Sequence, residues 1–174
     1  LVGYYTDNEL PTMFTYPGNR SRTGETSSAG MDINDSGIVV GYTTDEATGQ
    51  TAARRWNSDG SISDLDPESS GTFSAAYGIN AAGVAVGTAA GLGNGNRVAF
   101  TWAGSAATPL QPTALGGLES IAFDINVGGT VAGTAQDAAS IWRACIWDQG
   151  AITDLSEPAD VQSAANALND ARQI

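Results

Sequence analysis

Histidine is absent from the 174 residues, and cysteine occurs once, at Cys145. The first absence removes the commonest zinc ligand and the commonest general base together, and the second forbids an internal disulfide. Basic residues are scarce: 7 Lys and Arg stand against 19 Asp and Glu, a net charge of −12. Such a field repels phosphate backbones and anionic lipid alike, so nucleic acid is not expected as a partner. No apolar run approaches the roughly 20 residues that a membrane-spanning helix needs, and the chain opens in strand-like sequence without the charged start of a signal peptide. The sequence contains no G-x-S-x-G elbow, H-E-x-x-H helix, Walker loop, Cys-x-x-Cys pair, EF-hand spacing or calcium-binding nonapeptide. No cofactor is expected on these grounds.

What the chain does have is a sentence written several times. "GMDINDSGIVVG" at 30–41 returns as "AYGINAAGVAVG" at 76–87, as "AFDINVGGTVAG" at 122–133, and in part as "NALNDARQI" at 166–174. The anchoring asparagines, Asn34, Asn80, Asn126 and Asn169, are 46, 46 and 43 residues apart. An aromatic residue follows the first three, Trp56 and Trp102 after 22 residues and Trp147 after 21. The fourth copy stops at Ile174 before reaching one, and the missing half matches the other end of the chain. "LVGYYT" at 1–6 carries the Val-Gly-Tyr element of "VVGYTT", and Tyr16 stands where the others have Trp.

Each copy holds four short apolar runs rich in β-branched and aromatic residues, with Gly, Asn, Asp and Ser between them; in the first they read "AGMDIN", "IVVGYTT", "TAARRW" and "SISDL". The linker "NDSG" predicts a tight hairpin in which Gly37, Gly83 and Gly129 take positive φ, while Arg172 in the fourth copy predicts a strained or differently built turn. Four strands per unit, a period near 45 and complementary half-units at the ends predict an all-β fold, a four-bladed β-propeller closed by a split blade in which the C-terminal strand pairs with the N-terminal ones. The expected single domain covers 1–174, with blade 1 at about 29–70, blade 2 at about 75–118, blade 3 at about 121–160, and blade 4 split between 163–174 and 1–25. Closure would leave no exposed strand edge. A linear β-solenoid is the rival, and it gives the two half-copies no reason to be complementary.

The pattern "S-x-A-x-x-Ile-Asn-x-x-Gly-x-Val-x-Gly", then a small-residue strand ending in Trp, then "Ile-x-Asp-Leu", resembles the bacterial extracellular HAF repeat over nearly the whole chain. The His-Ala-Phe triplet that names the family survives only as "VAF" at 98–100 and "RAC" at 143–145. The resemblance implies secretion or surface display and a repeat β fold, and it implies no particular activity.

The series Tyr16, Trp56, Trp102 and Trp147 reads first as packing between twisted sheets, with a ring of sugar-stacking platforms as the alternative. Residues that break the repeat are better candidates, since the fold does not call for them. Trp142, whose counterparts are Thr51, Arg97 and Pro11, stands beside Arg143; together they could stack on a sugar or hold an anionic one, or the Trp could plug a loop. Asp32 and Asp124 stand two residues before Asn34 and Asn126, and the same position in the second and fourth copies holds Gly78 and Ala167. Across a propeller axis they could hold a cation in the central channel or act as acid and base; the plainer reading is that they accept backbone N–H bonds. The Gly- and Asn-rich insertion at 91–96 reads as a hairpin, with a binding loop as the lesser reading.

The function expected is a secreted or surface binding module, monomeric, for glycans or another extracellular protein. A polysaccharide lyase or glycoside hydrolase working with Asp32, Asp124, Arg143 and Tyr42 is the enzymatic alternative, and a purely structural repeat is the third.

Overall fold

The structure, a computed structural model, describes residues 4–6, 27–45, 47–65, 73–90, 95–111, 115–157 and 161–174. Every regular element among them is a strand. The first copy folds into β2 (Ser27–Ile33), β3 (Val39–Asp45), β4 (Gln50–Trp56) and β5 (Ile62–Asp64), preceded by β1 (Tyr4–Thr6). The second gives β6 (Ser74–Ile79), β7 (Val84–Ala90), β8 (Arg97–Ala103) and β9 (Ala106–Leu110), and the third β10 (Gly116–Ile125), β11 (Val131–Asp137), β12 (Trp142–Asp148) and β13 (Ala151–Asp154). Each copy is one antiparallel sheet of four strands in sequence order, and β1 extends the first sheet at its β2 edge.

The same local chemistry builds every sheet. The anchoring Asn opens a two-way turn: Gly37, Gly83 and Gly129, at φ of 72°, 79° and 83°, donate their N–H groups back to Asn34, Asn80 and Asn126. Each Asn Oδ1 accepts the N–H four residues on, from Ile38, Val84 and Thr130. The fourth copy makes the same turn with Arg172 at φ 60°, so it is strained in the way expected and not rebuilt. Seven residues past each Asn, a Cβ on Gly41, Gly87 or Gly133 would overlap the carbonyl oxygen of Ala29, Ala75 or Ile121. Glycine at that place is what allows the first two strands to approach.

The cores lie between consecutive sheets. Val40, Ala53 and Leu65 of the first copy pack with Ile79, Ala85 and Trp102 of the second. Val86, Ala99 and Leu110 of the second pack with Ile125, Val131 and Trp147 of the third, and Ala132 and Ala144 pack with Ala165 of the fourth. No sheet has a private core, so each is stable only through its neighbours. One backbone exchange recurs at every junction. The third strand outruns the fourth, leaving an edge N–H at Ala53, Ala99 and Ala144, and the start of the next copy covers it with Ser74, Ser120 and Ser163 Oγ at 2.8, 2.9 and 2.9 Å.

The closing hairpin expected between the two ends is not among the pairings of the described residues. Tyr4–Thr6 lies antiparallel to β2, Tyr4 opposite Ala29, and covers the β2 edge, while 163–174 lies on the third sheet, with Ala165 N–H donating to Gly133 O at 3.1 Å. Leu1 to Gly3, Pro11 and Tyr16 and the rest of the expected split blade at 7–25, like most of the insertion at 91–96, lie outside the described residues.

Candidate functional site

Three residues before each anchoring Asn the first strand carries one residue too many. The pairing skips Met31 between Gly30 and Asp32, Tyr77 between Ala76 and Gly78, and Phe123 between Ala122 and Asp124. A β-bulge leaves one residue unpaired and re-aims its side chain. Because the copies stack in register, the bulged residues form a row. Tyr77 and Phe123 meet with ring centroids 6.1 Å apart and planes at 45°, both half-buried, and Met31 is 42% exposed. The backbone at these positions repeats while the side chain does not.

Tyr42 joins this row from the first sheet. Its counterparts Thr88 and Thr134 donate their hydroxyls to the carbonyls of Ser120 and Ser163 in the next copy. Tyrosine is too large for that slot and stays half-buried beside the second copy. Burial pushes the Tyr77 phenol above its ordinary value, with Arg97 opposing and Tyr42 adding, so the three groups share one neighbourhood. Arg97 stacks its guanidinium over Phe73, 4.5 Å from the ring centroid. Its backbone N–H donates to Glu119 Oε1, and Gln136 Nε2 donates to Glu119 Oε2 at 3.2 Å. Aromatic faces, a cation and a carboxylate therefore stand along adjoining copies. Tyr77 and Phe123 were not picked out from the sequence, because a bulge is a property of pairing; the variability of their positions between copies was the one clue.

The other sequence candidates are dispersed. Asp32 Oδ1 accepts the N–H of Ile33 and its Oδ2 that of Ile79, both at 2.8 Å. Asp124 does the same for Ile125 and Leu168, at 2.8 Å each. Each carboxylate thus joins its own copy to the next, Asp32 at the junction of copies one and two and Asp124 at that of three and four. The facing pair expected across an axis is replaced by two backbone clamps. Among the described residues no three Cys, Asp or Glu side chains gather as a metal group would require.

Arg143 is held within its own sheet. Its Nε and Nη2 both reach Asp137 Oδ2 at 2.9 Å, and Asp137 Oδ1 accepts Ala139 and Ile141 N–H groups in the turn that follows β11. The Ile141 N–H foremost, and Arg143 with it, hold the Asp137 carboxyl below its ordinary value against the opposing effect of burial. Trp142 is half-buried at the start of β12, where its carbonyl accepts the Ser163 N–H. Neighbouring residues on a strand leave by opposite faces, so Trp142 and Arg143 do not make the joint platform expected of them.

Trp56, Trp102 and Trp147 are buried, and Trp102 stacks on Phe100 at 5.9 Å between centroids, which is the packing role. Cys145 is buried with them, and desolvation first, then Asp154, push its thiol far up, so it is not a nucleophile. Comparison with family models, with curated proteins and with solved structures finds no match to this chain.

Proposed function

We propose that this chain is a binding module whose ligand is carbohydrate, displayed outside the cell or on its surface as the resemblance to the HAF repeat implies. The bulge row carries the reading: one backbone device, repeated in three copies, takes Met31, Tyr77 and Phe123 out of the regular strand pairing without fixing what they are. A fold that only stacked sheets would have no use for that freedom. The Tyr77 and Phe123 rings suit the apolar face of a pyranose, and Glu119, Gln136 and the Arg97 guanidinium suit its hydroxyls. The charge of −12 favours neutral over anionic sugars.

The test is a glycan array followed by titration of the best neutral oligosaccharide. Tyr77→Ala and Phe123→Ala should each weaken binding about fivefold or more, the range of one aromatic contact, while the variants stay folded at the assay temperature. An empty array, together with a pull-down from extracellular material that captures no glycan or glycoprotein, would remove the reading. A new reducing end or unsaturated product on incubation with polysaccharide would turn it towards the enzymatic alternative.

The four-bladed propeller is the rival to an open row of copies: it would make one junction more, copy four on copy one inside a single chain. Its support is an alternation of junctions: Asp32 and Asp124 bridge one to two and three to four, while Gly78 packs closely on Phe123 and Asp124 between two and three. An even ring would close on a junction of the second type, since Ala167 is small and the Ile33 N–H is already held by Asp32.

A further inference from the structure

At every internal junction the anchoring Asn donates its side-chain amide to the backbone carbonyl of the next anchoring Asn: Asn34 to Asn80 at 3.1 Å, Asn80 to Asn126 at 3.1 Å, and Asn126 to Asn169 at 3.3 Å. The ladder has two loose ends. Asn169 turns its amide onto its own Gln173 Oε1 at 2.7 Å, and the Asn34 carbonyl receives only the Gly37 N–H among the described residues. The apolar face beside the ladder is open at the same place. Ile79 and Ile125, each covered by the copy before it, are 6% exposed, whereas their counterpart Ile33 is 40% exposed and Met31 beside it 42%. So the surface that copy two presents to copy one, and copy three to copy two, is left open by copy one, and among the described residues no backbone hydrogen bond joins copy four to copy one.

We infer that these two ends are docking faces for each other and that the occupant of each is a second copy of this chain, joined head to tail. The contact continues an interface the chain already makes three times. The incoming copy four offers the Asn169 amide to the Asn34 carbonyl and covers Ile33, in the manner of Asn126 and Ile125 at the junction of copies two and three. Ala167 takes the place of Gly78, one methyl larger, against Met31 and Asp32. Such a contact is heterologous, so it builds open chains or rings of several copies and not a twofold dimer. Two acidic chains repel each other, and salt should therefore strengthen the contact by screening.

Sedimentation of the full chain tests the inference, with cysteines placed at the exposed turn positions Asp35 and Ala171. The average mass should rise with protein concentration and with ionic strength. Ile33→Asp, a change at an exposed position, should keep the melting temperature and weaken association about tenfold or more. When Asp35→Cys and Ala171→Cys proteins are mixed and oxidised, the mixed pair should form in preference to either like pair, and Cys145, being buried, should stay out of the reaction. A constant monomer mass that Ile33→Asp does not alter would overturn the inference. So would a double-cysteine chain that links within itself, which would establish the closed ring instead. Glycan binding by the bulge row is read separately and survives either result.

Discussion

Asn80 bonds in both directions at once: its Oδ1 accepts the N–H of Val84 within its own turn at 3.0 Å, and its Nδ2 donates to the carbonyl of Asn126 at 3.1 Å in the next copy. A single buried side chain therefore shapes the hairpin and ties two sheets together. Asn80→Ala removes both bonds, leaving the Val84 N–H without its acceptor and the Asn126 carbonyl with the Gly129 N–H alone, a cost of about 2–3 kcal/mol. Asn169→Ala, at an exposed turn where the side chain bonds only to Gln173, should cost less than half as much. Urea unfolding of the two variants side by side checks the ratio.

Two kinds of glycine should behave differently. At Gly129 nothing stands where a Cβ would go, so Gly129→Ala meets only the positive φ and should cost about 1 kcal/mol. At Gly87 the added carbon would overlap the Ala75 carbonyl, and the strands must separate; Gly87→Ala should cost about 3 kcal/mol or more. Equal melting temperatures for the two would contradict the close approach of β6 and β7.

Acid should act through Asp137. Its folded pKa lies below the unfolded one, so the stability it contributes is complete above the unfolded value and is lost as pH falls through the folded one. Stability should accordingly decline as the solution is taken below about pH 4. Asp137→Asn removes this component, and a variant whose unfolding midpoint depends on pH as steeply as the parent's would refute the assignment.

Cys145 reports on the junction of the second and third sheets, since it packs with Ala99, Val131 and Trp147. A neutral, buried thiol should resist alkylation in the native protein and react at the rate of unfolding. Labelling as fast as a free cysteine would show that this core opens readily.

The repeat, the four strands per copy and the positive φ of the turn glycines were legible in the sequence because each is local: Asn34, Gly37 and Gly41 say the same thing three times over. Arg172 shows how far this reaches, since its strain follows from position alone. The roles of Asp32 and Asp124 were not legible. Their partners, the N–H groups of Ile79 and Leu168, lie 47 and 44 residues away, and backbone donors leave no mark in sequence. The Tyr77 and Phe123 row was hidden for a related reason, because the bulge that aims it depends on pairing with β7 and β11. Tyr42 was named in the sequence only as a working group of the enzymatic alternative, and its place beside Tyr77 was not foreseen, while Trp142 and Arg143 looked joined only because strand neighbours are adjacent on paper.

The alternation of Asp32, Gly78, Asp124 and Ala167 bears on how such a gene can grow or shrink. Excising the second copy alone would set Asp32 against Asp124, two carboxylates where Ile125 has a single N–H to give and has already given it. Excising the second and third together would bring Asp32 to Leu168, whose N–H is the kind of donor Asp124 uses now. Recombination between copies should therefore leave viable products when units are gained or lost in twos, making the inherited module about ninety residues rather than forty-five.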